Sequence, residues 1–146
     1  MALHIRNFRK EDLATLRRMY GQMPDEALLE MVAEWNTFCF DGKYFESFAL
    51  CDGETVVGNI FLCQHSGYIV SAGPEIFPEY RRRGYGLEGL RLAYEHAKTK
   101  GYKIASAQMR KDNIASIRLH EKLGFFKDTE IVNFGGSETV LYLKLL

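Results

Sequence analysis

Apolar and polar positions change period along the chain, and each change marks an element. Leu3 to Asn7 alternates weakly and predicts a first strand. Leu13, Leu16 and Met19 fall at helical spacing and predict a helix over Lys10 to Tyr20, stopped by Gly21. Pro24 suits the first turn of a second helix that buries Leu28, Leu29, Met31, Val32 and Trp35. Glu26, Glu30 and Glu34 line another face of that helix, as a solvated surface or as an attraction for a cationic substrate. Tyr44 to Leu50 and Thr55 to Gln64 are rich in β-branched and aromatic residues and predict a hairpin turned at Asp52-Gly53. His65-Ser66-Gly67 turns into a third strand, Tyr68 to Phe77. Its Gly73-Pro74 implies a bulge or an unpaired edge, because proline cannot donate to a ladder. Leu87, Leu90, Tyr94 and Ala97 share one face of a helix over Leu87 to Lys98, ended by Gly101. After a strand over Lys103 to Met109, Asp112 is placed to cap a helix with Ile114, Ala115, Leu119 and Leu123 on its apolar side. Phe125 to Phe134 and Glu138 to Leu145 predict two last strands joined through Gly135-Gly136.

The order is β-α-α-β-β-β-α-β-α-β-β. Hairpins in the middle and a strand-helix-strand crossover predict an α/β (α+β) fold with a central mixed sheet flanked by helices on both faces. No repeat, linker or low-complexity tract interrupts it, so residues 1–146 read as a single domain.

Charge and cysteine content narrow the function. Lys plus Arg and Asp plus Glu both count 19, so no net field draws the chain to nucleic acid. No apolar run reaches bilayer length, and the N-terminus lacks a signal-peptide core, so no membrane partner is expected. The three cysteines, Cys39, Cys51 and Cys63, form no Cys-x-x-Cys and the histidines are scattered, which argues against a metal site. They read as buried free thiols of a cytoplasmic protein.

The sharpest chemical feature is Arg81-Arg82-Arg83-Gly84-Tyr85-Gly86, between the third middle strand and its helix. The first amides of a helix lack internal partners and carry partial positive charge, so an anion binds there. Glycines open the backbone to it and arginines add donors. The turn therefore reads as a pyrophosphate cradle. It lacks the Gly-Lys-Ser/Thr of a P-loop. Gly84-Tyr85-Gly86-Leu87-Glu88-Gly89 fits a dinucleotide fingerprint by letter, but the acid expected near Ser106 to Met109 is missing.

Two segments in register resemble the GNAT superfamily of N-acetyltransferases. Ile76 to Gly86 is similar to that family's cofactor motif, Arg/Gln-x-x-Gly-x-Gly/Ala. Asn113 to Phe125, closing in Glu121-Lys122-Leu123-Gly124-Phe125, is similar to its second, Asn-led helix. The likeness is sharp from about Gly67 to Lys127 and extends by element order to the whole chain. It implies the GNAT acyl-CoA N-acyltransferase fold and transfer of the acetyl group of acetyl-CoA (coenzyme A) to the amine of a small molecule or peptide, in a monomer or homodimer. By the resemblance, the amides of Arg82, Arg83, Gly84, Tyr85 and Gly86 wrap the diphosphate, with Arg81 or Arg83 adding charge. Backbone groups near Ile76 and Phe77 pair with the pantetheine arm as an added strand, and Asn113 and Ser116 touch it. A backbone N–H near Ile76 serves the oxyanion.

The family's usual acid for the departing thiolate is a tyrosine on the second helix. Here that position is His120, about a quarter protonated at neutral pH if unperturbed and favoured as a cation by the helix dipole. Glu75 is the leading base candidate, through a bridging water, with His65, Glu46 and Tyr44 behind it. Met23, Trp35, Phe38, Phe40 and Tyr44 mark the acceptor region or simply core. The alternatives are a non-catalytic acyl-CoA-binding sensor or partner-binding module on the same fold, and an RNA-binding domain, which the charge balance disfavours.

Overall fold

The computed structural model describes residues 2–132 and 135–146. Its elements follow the expected order closely. They are β1 (Leu3–Asn7), α1 (Leu13–Met19), α2 (Asp25–Trp35), β2 (Cys39–Phe40), β3 (Lys43–Asp52), β4 (Thr55–Ser66), β5 (Ile69–Ile76), α3 (Tyr85–Thr99), β6 (Ile104–Arg110), α4 (Ile114–Lys122), β7 (Phe126–Val132) and β8 (Glu138–Leu145). Single 3-10 turns at Lys10–Asp12 and Pro78–Tyr80 precede α1 and α3, and β2 was not foreseen. Phe134, expected to end the seventh strand, lies outside the described residues.

The strands run in the order β1-β3-β4-β5-β6-β8-β7, with β2 paired to β3. All neighbours are antiparallel except β5 and β6. Alternation along β3 assigns the two faces. Phe48 and Leu50 join the clusters under α3, whereas Ala49 and Cys51 pack with Phe8, Leu16, Leu28 and Val32 from the α1 and α2 side. Leu90, Ala93, Tyr94 and Ala97 of α3 meet Ile60, Leu62, Val70 and Ala105 in the largest core, which the end of α4 joins through Leu123. Helices thus cover both faces of the sheet.

The β5–β6 ladder is short: only Ile69↔Ile104 and Val70↔Ala105 pair before the parallel strands part. Against β4, β5 stays in register from Ser71 through Ile76, so the bulge considered at Gly73-Pro74 does not form; the unpaired edge does. The Phe77 amide donates to Val57 O at 2.9 Å, toward β4. By the alternation of an antiparallel ladder, Ala72, Pro74 and Ile76 then direct their backbone groups to the open edge. Proline is tolerated there because no β6 carbonyl waits for its missing N–H.

Several local expectations need correction. Pro24 stands just outside α2 in extended conformation, as its N-cap. Asn113, not Asp112, caps α4, its Oδ1 accepting from Ser116 N at 3.2 Å. Leu29, Ile114 and Ala115 are exposed, each on a helix flank, and of the three thiols only Cys51 is buried, with Cys39 exposed on a two-residue strand and Cys63 half-buried. Glu26, Glu30 and Glu34 are exposed.

Close approach of β4 to β5 depends on Gly58, where an added Cβ would lie 2.2 Å from the Glu75 carbonyl oxygen. Neither backbone can yield without spoiling the ladder. Gly58→Ala is expected to destabilise the chain by about 2–3 kcal/mol, read as a lower urea midpoint at unchanged slope.

Candidate active site

Where β5 and β6 part, two cavities open and meet. The first, of about 790 Å³, lies between the N-terminus of α3, the open edge of β5 and α4. Ile76, Arg81, Arg82, Gly84, Tyr85, Gly86, Ser116 and His120 all line it, as does Glu75 at its exposed rim. Sequence reasoning missed Leu87, Arg118, Leu119 and Lys122 on its walls. Arg118 and Lys122 are four apart on α4, a spacing that puts two cations on one helix face and was readable in advance.

Local chemistry explains the cradle. The chain leaves β5 through the Pro78–Tyr80 turn and reverses at Arg82 and Gly84, both with positive φ (62° and 83°). Gly84 is the N-cap of α3; without a capping side chain, the first amides of a 15-residue helix are left pointing outward. Gly89, which completes the fingerprint by letter, instead lets α3 sit on Leu50, whose Cδ2 would be 3.0 Å from an added Cβ. The loop is held from behind by Arg18 of α1, bidentate to Glu79 at 2.5 Å and stacked 4.1 Å from the Phe77 ring centroid.

Three expected cofactor contacts are not brought to this cavity. Phe77 is buried under Arg18, and its amide is taken by Val57. Arg83 is not among the lining residues; its guanidinium lies 5.7 Å from the ring centroid of Tyr80, which is. Asn113 is exposed and spends its side chain on the α4 cap. On the open edge, Ile76 O accepts from Arg81 Nε at 3.0 Å and Ala72 N donates to the Tyr94 hydroxyl at 3.1 Å. The Ile76 amide is left facing the cavity.

A second cavity, of about 570 Å³, occupies the sheet face opposite α3, over β4, β5, β6 and β8. His65 lines it with its Nε2 2.7 Å from Ser71 Oγ. Pro74, Ser116 and His120 line both cavities and form the seam between them. Glu46 and Tyr44 are elsewhere. Burial pushes the Glu46 carboxyl up, but hydrogen bonds from Tyr44, Asn7 and His96 outweigh it and hold the group below the usual range. That engagement removes both from the list of bases. Met23 and Trp35 pack in the α1–α2 core, while Phe38 and Phe40 are exposed.

His120 is the one fully buried residue of α4, 5% exposed. Its Nδ1 donates to Ser116 O at 2.8 Å, and its buried Nε2 has no partner. Burial lowers its pKa, outweighing the opposing effect of the Ser116 bond, so the cation favoured by a helix end is not the form held here. The seam residue is therefore a neutral imidazole whose Nε2 is a buried, bare acceptor. Because the unfolded chain binds this proton more readily, stability is full above about pH 6.5 and is lost as pH falls through the folded value. NMR of the ring nitrogens should give a midpoint below that of free histidine and place the neutral-form proton on Nδ1; a midpoint at or above it would contradict the buried-neutral state.

Among the described residues no helix is long and apolar enough to cross a membrane. A family model for the acetyltransferase (GNAT) domain matches residues 2–126. No curated protein sequence matches the chain. Among solved structures, yncA of Salmonella typhimurium, with its cofactor acetyl-CoA, is similar at TM-score 0.75 and 20% identity, over 100% of this chain and 95% of that one. The ribosomal-protein-alanine N-acetyltransferase of Brucella melitensis gives 0.75 and 19%, over 98% and 99%. The spermidine N-acetyltransferase of Vibrio cholerae, in complex with CoA and spermine, gives 0.76 and 17%, over 99% and 95%. At these identities the likeness is one of fold.

Proposed function

The chain belongs to the GNAT acetyltransferase family, and on that premise we propose that residues 1–146 act as one N-acetyltransferase domain that carries the acetyl group of acetyl-CoA to an amine. The observation that carries this reading is the pair of cavities meeting at His120. One is built for a polyanion and the other is not.

The first cavity fits the coenzyme by its donors. Arg81, Arg82, Arg118 and Lys122 line it against a single carboxylate, Glu75, and the α3 amides open into it. Arg81 and Arg82 with the amides of Gly84 to Gly86 are assigned to the diphosphate. The open edge of β5 at Ile76 is assigned to the extended arm, which takes the place that β6 vacates. Ser116 and His120 lie at the far end. Bound acetyl-CoA supplies a thioester-activated acetyl group at the seam. The Ile76 amide, fixed in a strand, is the candidate donor to a carbonyl of that arm.

His120 Nε2 is assigned the proton that the attacking nitrogen sheds. It is a bare acceptor held in one tautomer by Ser116, and its lowered pKa makes it ready to pass that proton on to the departing CoA thiolate as the new C–N bond forms and the thioester C–S bond breaks. This puts a base step ahead of the acid role that the sequence suggested. Glu75 keeps a lesser candidacy: it is exposed, lines the first cavity and does not reach the second.

Isothermal calorimetry with CoA, followed by thiol release with amines and mass detection of products, tests the reading. Arg82→Ala should weaken CoA binding about tenfold, the worth of one charge-assisted hydrogen bond. His120→Phe should bind CoA like the parent and turn over about tenfold more slowly, or worse; unchanged turnover would remove His120 from the mechanism. No heat with CoA at low ionic strength would end the reading. CoA binding without acetylation of any amine would return the sensor alternative.

A further inference from the structure

The second cavity carries more than its position. None of its lining residues is Asp, Glu, Lys or Arg. Its polar groups are hydroxyls, one amide and imidazoles, and several are already engaged: His65 with Ser71, and Gln108 Nε2 with Thr139 Oγ1 at 3.0 Å. Leu141 and Leu143 supply much of its apolar floor. One wall is aromatic. The Phe61 ring packs against Gly73, where a Cβ would come within 2.5 Å of the ring, so the glycine exists in company with that ring. Phe61 stacks on Phe45 at 6.0 Å and 21°, and Phe45 meets Phe40 at 6.1 Å. This aromatic row leads from exposed surface to the cavity. At the inner end lies His120, whose buried Nε2 has no partner and lacks only an N–H donor.

Resting on the acetyltransferase reading, we infer that the acceptor is a primary monoamine on an uncharged aromatic or otherwise apolar body, with its nitrogen at His120 and its body between Phe61 and Leu141. A polyamine seated there would bury a second ammonium with no carboxylate beside it. An α-amino acid would bury a carboxylate with no cation beside it. Either charge loses water without gaining a partner. An apolar body loses nothing of that kind and gains the contact of the ring.

The test uses the full chain with acetyl-CoA and a panel of 2-phenylethylamine, spermidine, L-lysine and an alanine-initiated tetrapeptide, comparing kcat/KM by thiol release. The expected order puts 2-phenylethylamine about tenfold or more above each of the others. Phe61→Ala should narrow that gap about tenfold through KM, with CoA affinity unchanged by calorimetry. Ser106→Asp, which places a carboxylate on the cavity wall, should raise spermidine relative to 2-phenylethylamine. Preference for spermidine, lysine or the peptide in the parent chain overturns the inference while leaving the acetyltransferase reading intact. Failure to acetylate 2-phenylethylamine when CoA binds also overturns it. Absence of CoA binding is seen in calorimetry without any amine and overturns the underlying reading.

Discussion

Everything at the site depends on two parallel strands that stop pairing. β5 and β6 share two residue pairs and then separate. A parted pair of strands normally leaves donors and acceptors that must find other partners or water. Here part of the open edge of β5 is settled locally. The Ala72 amide turns to the Tyr94 hydroxyl, Pro74 has no amide to settle, and Ile76 O turns to Arg81. Tyr94 is itself buried in the α3 core, so the helix that packs the sheet also props the gap. The opening is thus a built feature of the fold, and the one amide it leaves over, at Ile76, faces the cavity.

The two helical layers do different work around that gap. α3 gives its buried face to the sheet and its N-terminus to the first cavity. Its angle on the sheet is fixed at one end by Gly89 on Leu50 and farther along by His96, which reaches the buried Glu46 carboxylate at 3.0 Å. Glu46 also takes a bond from Asn7, so β1, β3 and α3 share one buried charge. Removing any of those donors would leave a buried carboxylate short of partners, which is why the cluster reads as a fastening and not as a base. α1 braces the cradle loop from outside through Arg18, Phe77 and Glu79. The Arg18–Glu79 pair is half exposed, so its value is in position more than in energy.

The parts of this arrangement that were legible in the chain are those written in local chemistry. Glycine at Gly84 announces a positive φ, and the spacing of Leu90, Tyr94 and Ala97 announces a buried helix face. Pro74 announced a break in pairing, though not which kind. Long-range consequences were less legible. Phe77 and Arg83 sit beside true lining residues in sequence, yet strand alternation turns Phe77 into the core and Arg83 does not join the lining. Asn113 was read as a ligand contact because it leads a helix, and leading a helix is what consumes its side chain. The second cavity draws on Phe61, Gly73, Gln108 and Leu141, which no local pattern connects. Only the register of four strands brings them to one face.

His120 shows the same limit at the level of a single proton. Its position at a helix end suggests a cation when the helix is considered alone. The fold adds burial under Phe125, whose ring centroid is 5.0 Å away edge-on, and a carbonyl one turn back that claims Nδ1. A phenol at that point in the fold can donate its hydrogen toward the seam. This imidazole has already committed its proton to Ser116, so what remains on its other nitrogen is a lone pair. On the proposed reading, the exchange of a tyrosine for histidine changes the direction in which a proton first moves there, and the neutral, uncharged wall of the second cavity is consistent with it: a bare acceptor, poorly solvated and without a counter-ion, suits a nitrogen that arrives with hydrogen to give and no second charge to shelter.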